Sequence, residues 1–227
     1  MAIIFQHAQS FKRQNKIIKL CQDLPPGDRI KKLFEEKIEP LLSDRGFKFV
    51  KSKNLFKRKV GQLTHEIYIA KSKWNRADEV CSFWLIFSVL ADTYNDWHKR
   101  TYDTLPINDC ITSFYHNHLK NWKTEFKLDK YDLSKQDNEK VFKEIKINLE
   151  KLVLPLFDKF SDYEHSADKL MEDKEYWWAA KIYDYYLMAG KIAKAKQALK
   201  TGKEYYDKQT DRQEEFFEAF KLRVNQP

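Results

Sequence analysis

The fold is decided by a stretch in which apolar and polar residues alternate: residues 46–70 read GFKFVKSKNLFKRKVGQLTHEIYIA. Polar turns at 51–54 and at Gly61-Gln62 divide this stretch into three short segments. Alternation with a period of two is typical of half-buried strands, and short turns join antiparallel neighbours. Residues 80–90, VCSFWLIFSVL, are apolar at both parities and predict a fourth, most buried strand. We therefore predict an antiparallel meander of four strands.

Helical patterns precede and follow the predicted sheet. Apolar residues recur every three or four positions over residues 28–45 and again over 134–160, which predicts two helices that flank the sheet. Pro40 and Pro155 interrupt these patterns. Each proline removes a backbone donor and predicts a kink or a restart of its helix.

The segment between the sheet and the second helix, residues 91–133, has no sustained period. One apolar run near Cys110–Leu119 favours a strand. We expect a long excursion with one or two further strands.

The last third of the chain has a helical pattern throughout. Predicted helices cover residues 162–172, 174–188, 191–207 and 211–223. Tyr176, Ala179, Ala180 and Tyr183 match the first-helix spacing of a tetratricopeptide-like hairpin, and Ala193, Ala195 and Ala198 supply small residues for the second helix. A single unit cannot form a solenoid, so we interpret it as an annex packed on the preceding domain. The predicted fold class is α+β, with an α+β domain at 1–160 and a helical annex at 161–227.

Composition places the chain among globular proteins. Hydrophobic residues make up 42% of the 227 residues, whereas glycine and proline number only 5 and 6. Three cysteines without a C-x-x-C spacing favour a reducing, cytoplasmic location. The sequence has no apolar run of the length that a membrane helix needs, so we expect no membrane association.

Positive charge is concentrated in residues 45–76. This stretch holds ten Lys and Arg residues and one acid, Glu66, whereas the whole chain has a net charge of +8. Such a surplus favours an anionic partner, either nucleic acid or an acidic protein surface. The alternative is a solvated sheet face that lysines keep soluble. The candidate binding residues are Lys48, Lys51, Lys53, Lys57, Arg58, Lys59, Lys71, Lys73, Trp74 and Arg76.

Catalytic signatures are weak. His116 and His118 would share a face if they lay on a strand, and two imidazoles can bind one metal ion. No third ligand has a diagnostic spacing, and the sequence contains no G-x-S-x-G or phosphate-binding glycine loop. A metal-dependent hydrolase therefore stays an alternative, and we predict no cofactor.

A third interpretation is a helical scaffold. Tyr176, Trp177 and Trp178 point in three directions on a helix, so some of these rings either cover neighbouring helices or bind a protein partner.

Several motifs resemble those of the bacterial domain-of-unknown-function family numbered four-three-zero-four. The resemblance covers about residues 28–92 and extends more loosely to 160. It implies a small α+β domain and no known activity. The motifs that carry it are Ile38-Glu-Pro-Leu-Leu42, Gly46-Phe47-Lys48, Asn54-Leu-Phe-Lys-Arg58, Ala70-Lys-Ser72 and the strand Phe83–Leu90.

Together these patterns favour a non-enzymatic module that binds another macromolecule through the basic stretch 45–76. A role in immunity or defence is one version of this hypothesis and rests on analogy alone. The oligomeric state is left open.

Overall fold

A computed structural model describes residues 17–77, 79–126, 129–209 and 213–224. Its strands are β1 (Lys48–Val50), β2 (Leu55–Val60), β3 (Leu63–Lys71), β4 (Ser82–Ala91), β5 (Cys110–Tyr115) and β6 (Tyr131–Asp132). Its helices are α1 (Pro26–Lys37), α2 (Glu39–Ser43), α3 (Tyr94–Tyr102), α4 (Asn138–Asn148), α5 (Leu154–Asp158), α6 (Tyr163–Glu172), α7 (Ala179–Met188), α8 (Ile192–Tyr206) and α9 (Gln213–Val224). The predicted α+β class is confirmed.

The strands form one antiparallel sheet in the order β1-β2-β3-β4-β5, and β6 also pairs with β4. The predicted meander of four strands is therefore confirmed, and Gly61 makes its tight turn with a positive φ of 58°. β4 occupies the centre because it pairs with β3 on one side and with β5 and β6 on the other.

Pro40 and Pro155 each lie where a helix was predicted to be interrupted, and a new helix begins at each. α1 ends at Lys37, and Pro40 lies in the first turn of α2, where a missing N–H costs no hydrogen bond. Pro155 lies likewise in the first turn of α5, after a π-helical turn at Leu149–Val153. The helix predicted from residue 134 begins only at Asn138, because the Asp137 carboxylate caps it by accepting from the Lys140 N–H.

The segment 91–133 contains a helix, α3, that was not predicted from the sequence. α3 buries Tyr94, His98 and Tyr102, which recur every four residues. The expected further strands are present as β5 and β6.

The C-terminal helices pack on α3 through tyrosines. The Tyr185 ring of α7 lies 5.2 Å from that of Tyr94 and 5.6 Å from that of Tyr163 (centroid distances). The hairpin of α7 and α8 packs closely because Ala179, Ala195 and Ala198 are buried, as expected of a tetratricopeptide-like unit. None of the helices among the described residues is both long and apolar enough to cross a membrane.

A buried carboxylate joins three helices. Asp184 of α7 accepts hydrogen bonds from the hydroxyls of Tyr94 (2.7 Å) and Tyr102 (2.8 Å) and from Nε of Arg223 (2.9 Å). It also forms an ion pair with the same guanidinium. The free-energy cost of burying the two charges is therefore offset by their ion pair and hydrogen bonds, as it would not be for an isolated charge.

We expect Asp184→Asn to lower the free energy of unfolding by about 3 kcal/mol, because Arg223 is left as a buried cation without a counter-charge. Urea denaturation measures the change. Asp207→Asn is the control, since its ion pair with Lys203 is half exposed, and it should cost no more than about 0.5 kcal/mol. Equal losses in the two variants would contradict a structural role for the buried pair.

Candidate binding surface

The two faces of the sheet differ in how they are covered. Along β4, Phe83, Leu85, Phe87 and Val89 are fully buried and point to the face that we call the inner face. Aromatic residues of α1, α4 and α5 pack there, for example Phe157 against Phe87 at 6.4 Å between ring centroids. No residue of β4 is exposed, in line with the prediction of a most buried strand, but its alternate residues are only partly buried.

These partly buried positions belong to the outer face. They are Trp84, Ile86, Ser88 and Leu90, and the pairing register joins them to the alternate residues of the neighbouring strands. The outer face therefore combines apolar side chains with partial access to solvent, as antiparallel sheets often do on one face.

An aromatic row crosses the outer face. Tyr68 of β3 lies directly opposite Ile86 of β4, and Ile86 lies directly opposite Tyr115 of β5. The two tyrosines are 41% and 42% exposed. Since adjacent strands lie about 4.8 Å apart, the two tyrosine backbones are separated by about 10 Å.

Two lysines lie opposite each other beside this row. Lys48 of β1 pairs in register with Lys57 of β2, and both side chains are exposed. Within the described ranges neither lysine forms an ion pair. Like charges directly opposite in a sheet are destabilising. A bound anion would remove this repulsion.

The remaining charges of the outer face are partly balanced. Lys59 forms an ion pair with Asp92 at 3.2 Å. Glu66 lies opposite Lys57, and its partial burial raises the pKa of its carboxyl, whereas Lys57 and Lys53 act in the opposite sense. The net positive charge is therefore concentrated at the β1–β2 end of the outer face.

We expected the basic residues to lie on a common side, but Arg58 and Lys71 do not share the outer face. Arg58 points to the inner face, where Nε donates to Nδ1 of His65 at 3.1 Å and Nη2 forms an ion pair with Asp158 at 2.7 Å. Its guanidinium also lies 4.9 Å from the centroid of the Phe47 ring. Lys71 also follows the inner parity, and its Nζ approaches Gly27 at the start of α1.

The other candidates lie at the edges of the sheet. Lys51 forms an ion pair with Glu35 of α1 at 3.4 Å. In the loop after β3, Lys73 lies over the ring of Trp74, which is 67% exposed, and Arg76 lies 3.8 Å from Glu79. The ten sequence-predicted residues therefore do not form one patch, and Lys48, Lys53, Lys57 and Lys59 are the ones on or beside the outer face.

The histidine pair does not have the geometry that the metal hypothesis requires. His116 and His118 lie in a 3-10 turn after β5 rather than on a strand, so positions two apart do not share a face. His116 is buried, whereas His118 is exposed. Among the described residues no group of three or more His, Cys, Asp or Glu side chains is placed to hold a metal ion.

The tyrosine row was not predicted from the sequence. Tyr68 and Tyr115 are separated by 47 positions, and only the register through Ile86 brings them together. The available signal was the parity of Tyr68, which alternates with the buried Ile67 and Ile69.

Two buried histidines should make folding sensitive to acid. Burial lowers the pKa of His116 to about 4 and also lowers that of His65. Between pH 6.5 and 4 the unfolded chain therefore binds protons that the folded chain does not, and stability falls as the pH falls. We expect His116 alone to account for about 3 kcal/mol of this loss.

The measurement is the free energy of unfolding in urea at several pH values between 7 and 4. His116→Phe should show a shallower pH dependence than the wild type, whereas His118→Ala should leave the dependence unchanged. A His116→Phe curve parallel to the wild-type curve would contradict the assignment.

Comparison with known proteins agrees with the resemblance drawn from the motifs. A family model described as Domain of unknown function (DUF4304) matches residues 38–159, which is more than half of the chain. No curated protein and no solved structure matches the chain. The matched range includes all six strands and both faces of the sheet. The chain therefore belongs to the DUF4304 family.

Proposed function

We propose that the protein is a non-enzymatic binding module that holds single-stranded nucleic acid on the outer face of its sheet. The observation that carries the proposal is the row of exposed tyrosines on the outer face, beside two lysines that form no ion pair within the described residues. Sheets that bind single strands stack bases on exposed aromatic rings and contact the phosphates with basic side chains.

The tyrosines supply stacking surfaces. Tyr68 and Tyr115 are each more than two-fifths exposed although they belong to a folded sheet. Ile86 lies between them and offers an apolar floor. Two bases of one strand can therefore contact neighbouring rings, and the same sugar-phosphate chain then continues from Tyr68 toward the lysines of β1 and β2.

The charge distribution favours a single strand over a duplex. The free cations Lys48 and Lys57 lie at one end of the outer face, whereas Glu66, Asp92 and the neighbouring Asp109 carry negative charge further along it. A duplex presents phosphates on two sides, but a single strand needs cations only along the path of one backbone.

The acidic protein surface is the competing partner. It would use the same lysines but would not need accessible aromatic rings. Tyrosine variants therefore separate the two partners. A cytoplasmic location and a role in defence remain predictions from sequence alone.

We expect a fluorescein-labelled oligothymidylate of about 12 nucleotides to bind more tightly than a duplex of equal length. Fluorescence anisotropy at two salt concentrations measures both. The Lys48→Glu/Lys57→Glu double variant should weaken binding at least tenfold and lower the salt slope by about 1.4, the value for two single-strand phosphate contacts. Lys196→Glu/Lys200→Glu on the exposed side of α8 is the matched control and should change affinity less than twofold.

We further expect Tyr68→Ala and Tyr115→Ala each to cost about 1–3 kcal/mol of binding free energy through lost stacking. Circular dichroism and urea denaturation check that each variant is folded. Absence of oligothymidylate binding, or an equal loss in the α8 control, would contradict the proposal. Retained binding in both tyrosine variants would instead favour an acidic partner recognised by charge alone.

A further inference from the structure

A cleft of about 260 Å³ opens beyond the β5 edge of the sheet. It is lined in part by His116, Lys120, Trp122, Phe126, Lys130 and Tyr131. It is distinct from the outer face, because the Tyr131 ring stacks on Phe83 of the inner face at 5.4 Å between centroids.

The aromatic walls of the cleft are held by a chain of hydrogen bonds. Nε1 of Trp122 donates to the Tyr131 hydroxyl at 2.9 Å, and this hydroxyl donates to Oε1 of Glu144 at 2.7 Å. The other oxygen of Glu144 accepts from the Glu125 N–H at 3.0 Å. Donors and acceptors of the wall are thus satisfied within the protein, which fixes the orientation of the rings before any ligand arrives.

His116 supplies a hydrogen-bond donor with a defined tautomer. Only 3% of the residue is exposed, and its Nδ1 accepts from the Leu85 N–H at 3.3 Å. Burial lowers the pKa of the imidazole to about 4, so the ring is neutral at pH 7 and its proton is on Nε2. In the part of the chain that the structure describes, Nε2 donates to no protein acceptor.

Two cations lie beside this donor. Lys120 and Lys130 are exposed, and neither forms an ion pair within the described segments. Asp129 is the neighbouring acid whose charge reaches His116, so it offsets part of this positive charge. The cleft therefore combines flat apolar walls with a neutral N–H donor and a net positive rim.

We propose that this cleft binds a small, flat organic anion, consisting of one aromatic ring with a single carboxylate or phosphate group. The ring packs against the wall formed by Trp122, Phe126 and Tyr131, where aromatic side chains provide apolar area and edge-to-face contacts. The anionic group accepts from Nε2 of His116 and pairs with Lys120 and Lys130, as charged oxygens prefer N–H donors. The volume is below that of drug-sized pockets, which limits the ligand to about one ring.

Ligand-observed NMR on the full chain tests the proposal with four probes. Benzoate and phenyl phosphate combine ring and charge, benzyl alcohol has the ring alone, and inorganic phosphate has the charge alone. We expect saturable binding of at least one of the two ring-containing anions. Benzyl alcohol and inorganic phosphate should bind at least tenfold more weakly. Binding should also shift the His116 Nε2–H resonance.

Variants then locate the site. Lys120→Ala/Lys130→Ala should weaken binding of the anionic probe at least tenfold, because both side chains are exposed and their removal leaves the fold intact. Lys143→Ala/Lys146→Ala, which removes two exposed lysines of α4, is the matched control and should have less than a twofold effect. Equal affinity for benzoate and benzyl alcohol, no saturable binding of either anion, or equal effects of the two double variants would overturn the proposal. Loss of oligonucleotide binding to the outer face would not overturn this proposal, because the two sites share no residue.

Discussion

The buried imidazole of His65 holds the helical layer on one side of the sheet. Its Nδ1 accepts from Arg58 of the neighbouring strand, and its Nε2 donates to the Phe160 carbonyl after α5 at 2.8 Å. The ring also stacks on Phe157 at 4.8 Å between centroids. Because this ring joins β2, β3 and the end of α5, it fixes α5 against the inner face, whereas the outward-facing residues of β4 stay partly exposed.

The alternation of side chains along β2 places paired and unpaired basic residues on opposite faces of the sheet. Arg58 points inward and is satisfied by His65, Asp158 and the ring of Phe47. Lys57, one position earlier, points outward and lies opposite Lys48. The basic stretch of the sequence is therefore two features: a guanidinium that stabilises the core, and a smaller set of lysines that the core leaves unpaired.

The strands were predictable from the sequence because their signals are local. Gly61 and the polar segment 51–54 mark the turns, and the period of two fixes which residues share a face. α3 was not predicted because its buried stripe consists of Tyr94, His98 and Tyr102 rather than aliphatic residues. Their spacing of four was nevertheless a usable signal.

The candidate sites were less predictable than the fold, because they depend on register and on tertiary contacts. The parity of β2 was enough to place Arg58 and Lys57 on opposite faces. No local pattern places Tyr68 beside Tyr115, since β4 separates them. The prediction that His116 and His118 share a strand face was wrong for a related reason. β5 ends at Tyr115, and both histidines lie in the turn that follows it.

The two proposed sites use different chemistry and lie on different sides of β5. Tyr115 belongs to the outer face, and the next residue, His116, lines the cleft. The sheet thus presents stacking rings and unpaired lysines to an extended polyanion, whereas the cleft presents a fixed donor to a compact anion. Both depend on aromatic residues whose orientation the sheet and its hydrogen bonds set in advance.

Photo-crosslinking of oligothymidylate to the full chain, followed by mass spectrometry of the linked peptides, identifies the surface that holds the nucleic acid. We predict that the nucleotide is attached to peptides of β3 and β5, at Tyr68 and Tyr115. Attachment confined to the α7–α8 hairpin or to residues 119–126 would show that the outer face of the sheet is not the binding surface.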